Sequence, residues 1–289
     1  MNHKQVSKEK ESGALSFLYH TLPGRLLLKP LASRAISRVV GAFMDSPLSR
    51  PLIPGFARRN GIRLSDYVVE DYRCFNDFFC RRIRPELRPI CRDPEALIAP
   101  CDGLLSAYRI REDTVLPVKQ SRYTLPDLLG GDPLAARYQN GLCLVFRLCV
   151  DHYHRYCYLD DGTKGKNTFL PGALHTVRPI ALAEVPVFTR NCREYTALET
   201  AHFGTVTQVE VGAMLVGRIQ NDHGAGPIRR GAEKGRFLYG GSTIIVLLKA
   251  GRARLCGPLA ELLDTGVETP VRMGGEIGRA LEPASAPNA

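Results

Sequence analysis

The sequence predicts an α+β protein, a mostly antiparallel β body behind a basic helical N-terminal arm. From about residue 96 onward, short apolar and β-branched runs alternate with turn signals, the texture of strands. Over residues 13–60 the spacing is helical instead. Leu28, Ala32, Ile36, Val39 and Phe43 fall on one face, with Arg34 and Arg38 opposite. Composition agrees: 27 Gly, 20 Pro and no Trp suit a turn-rich, strand-rich chain.

Taken in order, residues 1–12 are polar and read as a disordered tail. Residues 13–60 read as short helices separated by Pro and Gly. Residues 61–92 turn helical around Phe75-Asn76-Asp77-Phe78-Phe79, followed by Arg81 and Arg82 and ended by Pro85 and Pro89. Residues 13–92 thus form an arm and connection, and 93–289 a β-rich domain. Its expected strands are 104–110, 143–150, 154–159, 184–190, 205–219 and 243–249, with a short helix near 124–130.

At 289 residues the chain can bury a sizeable core. Its net charge of +10 is uneven, with ten Lys/Arg against three Asp/Glu in residues 1–60. That excess favours anionic partners. A basic amphipathic helix suits an anionic bilayer surface, although on pattern alone a core-packed helix with a solvated basic face is the commoner case. Nucleic acid has no supporting motif here. No stretch reaches the roughly 18–20 apolar residues of a spanning helix. Nine Cys without a C-x-x-C pair or zinc spacing, and without a secretory signal, predict reduced thiols in a cytoplasmic setting and no metal.

Chemistry concentrates at Tyr239-Gly240-Gly241-Ser242-Thr243, ahead of the apolar run Ile244–Leu248. Ser242 Oγ could attack the carbonyl of Gly241. The resulting ester could eliminate to dehydroalanine and hydrolyse to a pyruvoyl group, a ketone that condenses with amines and accepts electrons. The same residues also make an ordinary turn before a strand. Asp102 in Pro100-Cys101-Asp102-Gly103 is a carboxylate or a turn residue. His152 and His154, two apart in Val150–Tyr158, would share a strand face, as acid–base groups or as bonded strand histidines. Phe188–Glu194 reads as a polar loop whose Arg residues suit carboxylate or phosphate. Val209–Ile219 reads as a strand interrupted by Gly212 and Gly217.

Taken in order, these segments resemble the phosphatidylserine decarboxylase proenzyme family. The resemblance runs from Gly24-Arg25-Leu26-Leu27-Leu28 through Phe75–Phe79 with Arg81, Pro100–Gly103, Tyr153-His154-Arg155, Gly172–Val177, Phe188–Arg193 and Val209–Ile219 to Gly240-Gly241-Ser242-Thr243. It implies self-cleavage between Gly241 and Ser242 into a β chain (1–241) and an α chain (242–289) that stay associated. It also implies a pyruvoyl group derived from Ser242 and conversion of phosphatidyl-L-serine to phosphatidylethanolamine and CO2. The helical region becomes a membrane-association arm, the protein peripheral on the cytoplasmic face of the membrane, and its assembly a homo-oligomer. Ser242 is then the nucleophile of maturation, Asp102 orients a histidine or accepts a proton, and His154 returns a proton to the substrate carbanion. His175, Asn191 and Arg193 are candidates for holding substrate.

The chain departs from the family pattern twice. Cys157 stands where many members carry a second His, so the maturation base falls to His154, His152, Asp102 or Cys157. Gly240 stands where Leu is common. Two other readings are a related decarboxylase of a soluble amino acid and a non-cleaving lipid-surface binding protein.

Overall fold

The computed structural model describes residues 13–68, 71–111, 115–118, 121–213, 218–240 and 242–281. The expected tail 1–12, Gly241, and residues 214–217 of the Val209–Ile219 segment lie outside that set.

Four helices lead: α1 (Gly13–His20), α2 (Leu22–Leu31), α3 (Arg34–Asp45) and α4 (Leu52–Arg59), followed by the single turn α5 (Phe75–Phe79). Thr21 and Ser33 cap α2 and α3, their hydroxyls accepting the N–H of Gly24 and Ile36. The Ser33 cap starts a new helix, so the predicted face Leu28–Phe43 is split. Leu28 and Ala32 are buried, but Val39 and Phe43 are 72% and 43% exposed. Val39 and Phe43 of α3 therefore face outward, while its Arg34 and Arg38 side lines a cavity against the body.

The β body comprises β1 (Ala96–Ile98), β2 (Gly103–Arg109), the hairpin β3 (Val115–Val118) and β4 (Ser121–Thr124), α6 (Leu125–Leu128), β5 (Leu142–Leu148), β6 (Arg155–Cys157) and β7 (Gly162–Leu170). It continues with α7 (Pro179–Glu184), α8 (Val187–Arg190), β8 (Arg193–Thr200), β9 (Gly204–Val211), β10 (Ile219–Asn221), β11 (Gly226–Ile228), β12 (Glu233–Phe237) and β13 (Ser242–Leu248). It ends with β14 (Ala253–Leu255), α9 (Pro258–Glu261), β15 (Thr269–Val271) and β16 (Glu276–Ala280). One eight-stranded sheet, in the order β11-β7-β8-β9-β13-β5-β2-β15, organises it, with small sheets β10-β12-β6 and β1-β16-β14. Every pairing between these strands is antiparallel, as expected.

β13 lies between β5 and β9, and all seven of its residues are buried. A strand covered on both faces reads as a continuous apolar run, which is what Ile244–Leu248 shows. Ile244, Val246 and Leu248 join Leu144, Phe146 and Leu148 in a core under the small sheets. Ile245 and Leu247 point the other way, into a core closed by Tyr138, Phe188, Tyr19 and Leu28. Tyr19 and Leu28 of the arm are therefore built into the sheet's second face.

Two readings need correction. Residues 184–190 are the end of α7 and α8, not a strand. Pro179 and Pro186 stand at their starts, where the missing N–H has no helical partner to lose. The strands β7 and β8 escaped notice. β7 is largely polar and half exposed, so it lacks a clean apolar alternation. Arg193 and Glu194, expected in a loop, open β8.

Candidate active site

Ser242 opens β13, paired with Leu148 of β5. Its side chain is buried and its Oγ has no hydrogen-bond partner. By strand alternation it shares the face of Ile244, the side covered by β6 and β12. The approach to it is held firmly. The Tyr239 ring packs edge-on against Phe75 and Phe79, with centroids 5.0 and 5.3 Å away. The Tyr239 N–H donates to Asn76 Oδ1 at 3.0 Å. Gly240 follows with φ 136°, a backbone state strained for any side chain, so glycine rather than Leu fits this position.

His154 reaches the same place from the other strand end. The chain turns at 149–152, where the N–H of His152 bonds to the Cys149 carbonyl and the N–H of Cys149 to His152 Nδ1, both at 3.0 Å. β6 begins only at Arg155, so the two histidines do not share a strand face. His154 is fully buried, its ring 4.1 Å from that of Phe79. Its Nδ1–H donates to the His152 carbonyl at 2.9 Å. Nε2 is left buried, bare of hydrogen and unpartnered. The Gly240 carbonyl lies beside the ring, outside hydrogen-bonding geometry. Burial first, then the charge of Arg81, pushes the ring's pKa down to about 3, so it is neutral at ordinary pH. His152 is only half-buried, and its own pKa is lowered chiefly by burial.

Arg81, noted in the sequence without a role, clamps this loop. Its guanidinium donates to the carbonyls of Phe78, Phe79, Asp151 and His152 and lies against the Tyr67 and Phe78 rings. It thereby ties α5 to the turn that presents His154.

Asp102 is placed otherwise than expected. Its oxygens bond to Arg88 Nε (2.7 Å) and Nη2, and Oδ1 also accepts the Met273 N–H at 2.9 Å. No histidine ring bonds to it among the described residues. Arg88 is a partner the sequence reading missed, because a carboxylate–guanidinium pair 14 residues apart in a loop leaves no periodic trace. Cys157 is a buried thiol in the apolar core, and burial raises its pKa to about 12. It is no base near neutral pH.

Asn191 and Arg193 are committed to the fold. Both amide hydrogens of Asn191 bond to carbonyls, those of His175 and Gly212, and its Oδ1 accepts the His175 N–H. Arg193 donates to the carbonyls of Leu128, Thr189, Asn191 and Asp127. It pairs with Val211, which pairs with Thr243, so it lies on the sheet face opposite Ser242. His175 Nδ1 meets the Tyr19 hydroxyl at 3.4 Å, away from Ser242's face. A fully buried ion pair, Lys234 Nζ to Glu210 Oε1 at 2.7 Å, occupies Ser242's own face, and sequence periodicity gave no sign of it.

Cys149, Asp151 and His152 bring ligand atoms within 4.8 Å of one another, a cluster that the C-x-x-C test could not reveal. Arg147 Nη1 lies 3.3 Å from Cys149 Sγ, and its charge opposes a cation there.

Comparison with known proteins gives this geometry a family. The family model described as phosphatidylserine decarboxylase matches residues 75–279. "Phosphatidylserine decarboxylase proenzyme 2" of Clostridium acetobutylicum is 40% identical over 278 residues, covering 95% of each chain. "Phosphatidylserine decarboxylase proenzyme" of Ruminiclostridium cellulolyticum is 38% identical over 287 residues, covering 96% of each. The match spans the α5 clamp, the His154 turn and the Ser242 strand, and the chain belongs to the phosphatidylserine decarboxylase family of decarboxylases.

Proposed function

We propose that the chain cuts itself between Gly241 and Ser242 and then decarboxylates phosphatidylserine at a membrane surface. One observation carries the maturation step. Two buried polar atoms without partners, Ser242 Oγ and His154 Nε2, belong to residues on either side of Gly240, which lies beside the His154 ring and two residues ahead of Ser242. Neither atom is spent on a structural hydrogen bond, so both are available for chemistry.

In this scheme Oγ adds to the Gly241 carbonyl carbon while its proton passes to Nε2. The C–N bond breaks as that proton returns to the Ser242 nitrogen, leaving an ester. Loss of the Ser242 α-hydrogen and departure of the Gly241 carboxylate give dehydroalanine, and hydrolysis releases ammonia and leaves the pyruvoyl ketone. Asp102 and Cys157 are poor bases for the first step, one bound to Arg88 and the other held as a thiol. β13 stays hydrogen-bonded to β5 and β9 on both sides, which supports an α chain that remains seated after the cut.

The residues present fit such a group: an apolar, aromatic surround and a neutral histidine. The ketone would supply an amine acceptor and an electron sink for the departing CO2. His154 starts without a proton on Nε2, so it must gain one before returning it to the substrate carbon. The serine ammonium is an available source.

The test is the intact mass of freshly purified protein under denaturing conditions. The expected result is two fragments split at Gly241-Ser242, the smaller blocked by a pyruvoyl N-terminus. Ser242→Ala should stay whole and inactive, and a cut, active variant would sink the scheme.

A further inference from the structure

We propose that the cavity between α3 and the β body binds the phosphodiester of the substrate headgroup through Arg34, Arg38 and the Ser37 hydroxyl. The proposal rests on the decarboxylase reading and names a subsite for it. The cavity holds about 280 Å³. Arg34, Ser37 and Arg38 stand at i, i+3 and i+4 on α3, so one helix face presents all three. Arg34 lies over the Phe169 ring at 5.8 Å. Neither Arg34 nor Arg38 has a carboxylate partner among the described residues. Ser37 is 8% exposed, and its Oγ has no hydrogen-bond partner although it borders the cavity. Two free guanidiniums and an orphaned buried hydroxyl are donors in search of an acceptor-only ligand. A phosphodiester, with a single negative charge and oxygens suited to guanidinium forks, meets that need.

The opposite wall leads to the reaction centre. Leu238 lines it, four residues ahead of Ser242. Asn76 also lines it, donating to Asp45 Oδ1 at 2.8 Å while accepting the Tyr239 N–H. A third guanidinium, Arg218, is already paired at 2.9 Å with Asp45 at the end of α3, so the surplus charge is that of Arg34 and Arg38. Cys192 completes the wall. Its carbonyl accepts the Gly212 N–H, and the neighbouring Val211 pairs with Thr243, so it stands two strand spacings, about 10 Å, from β13. The exposed Val39 and Phe43 lie across α3 from the arginines.

The experiment measures CO2 release by the mature protein from dihexanoyl phosphatidylserine below its micelle concentration, where membrane attraction plays no part. Arg34→Gln with Arg38→Gln should still self-cleave, keep kcat near the wild-type value and raise KM about tenfold or more. Ser37→Ala, a milder change that keeps the test open if the double variant misfolds, should raise KM severalfold. Glycerophosphoserine should inhibit the wild type more strongly than inorganic phosphate, and the double variant should lose that preference. An unchanged KM on the soluble lipid, even with slower turnover on vesicles, overturns the proposal, because the arginines would then act only by attracting membrane. Inhibition by inorganic phosphate equal to that by glycerophosphoserine overturns the headgroup assignment in favour of a general anion site. A self-cleaved wild type that releases no CO2 from either lipid form sinks the decarboxylase reading itself, and the subsite with it.

Discussion

His154 donates its Nδ1–H to the backbone carbonyl of His152, 2.9 Å away, and that bond decides which ring nitrogen is available for chemistry. A carbonyl only accepts, so the hydrogen is on Nδ1 and Nε2 carries the lone pair. Arg81 donates to the same carbonyl at 3.3 Å, so the acceptor that orients the imidazole is itself fixed. Replacing His154 by Ala should therefore slow self-cleavage about 100-fold or more and abolish CO2 release. A time course of the 1–241 and 242–289 fragments measures the first effect and radiolabelled serine headgroup the second. Cleavage at the wild-type rate would leave His154 no part in maturation.

The pH dependence of cleavage follows from the buried ring. A base with the ordinary histidine value near 6.5 would be about three-quarters protonated at pH 6. Burial holds His154 near 3, so the neutral form prevails throughout the range from pH 6 to 8. The cleavage rate should accordingly stay flat across that range, and a drop with a midpoint between 6 and 7 would contradict the assignment. Stability carries the same sign. A histidine whose folded pKa is depressed contributes stability above the unfolded value of 6.5, and that contribution is lost progressively as pH falls toward 3. Thermal unfolding midpoints of wild type and His154→Gln should therefore draw together as pH falls from 6.5 toward 3.

The bonds to Arg88 and Met273 make Asp102 a fixed support. Its side chain and that of Arg88 are both largely buried, and the pair joins the loop after Pro85 to the start of β2 and to Met273. Asp102→Asn strips the partner from a buried guanidinium, a change that typically costs about 3–5 kcal/mol. The expected outcome is a lower denaturation midpoint, with Arg88→Met in the same background recovering part of the loss. Full stability together with loss of cleavage would instead restore a direct chemical role for Asp102.

The sequence made some of this legible because certain signals are local. The run Ile244–Leu248 reads as a strand and the glycines before Ser242 as a turn ahead of it, and β13 starts at Ser242. The turn at 149–152 was misread because two histidines at i and i+2 look the same on a strand or beyond a turn. The two bonds between Cys149 and His152, one backbone and one to the ring, distinguish them. Arg193 and Asn191 looked like ligand-binding groups because residue type does not reveal whether donors are already spent on carbonyls. Arg88, Arg81 and Lys234 were silent for a related reason. The ion pairs of Arg88 and Lys234 join residues 14 and 24 apart, and Arg81 spends its guanidinium on backbone carbonyls, so none of them leaves a period to detect.

The outward face of α3 yields the last prediction. Val39 is 72% exposed and Phe43 43%, while Leu22, on the neighbouring α2, is 80% exposed. Exposed apolar side chains on these helices, beside a net charge of +7 over residues 1–60, are the pattern of a surface that enters an anionic bilayer interface. None of the described helices is long and apolar enough to cross a membrane. Each large apolar side chain gains about 1.5–3 kcal/mol when moved fully from water into an apolar phase, and part of that when it is already half covered. Val39→Ser with Phe43→Ser should then lower co-sedimentation with phosphatidylserine vesicles about tenfold or more, while leaving self-cleavage and turnover of the short-chain soluble lipid intact. Salt should weaken vesicle binding of wild type and variant alike, because the arginine contribution is electrostatic. Equal vesicle binding by the variant would mean that this face does not meet the bilayer. The apolar residues of α3 would then have to be covered by protein, and cross-linking through a cysteine placed at 39 would be expected to trap a second copy.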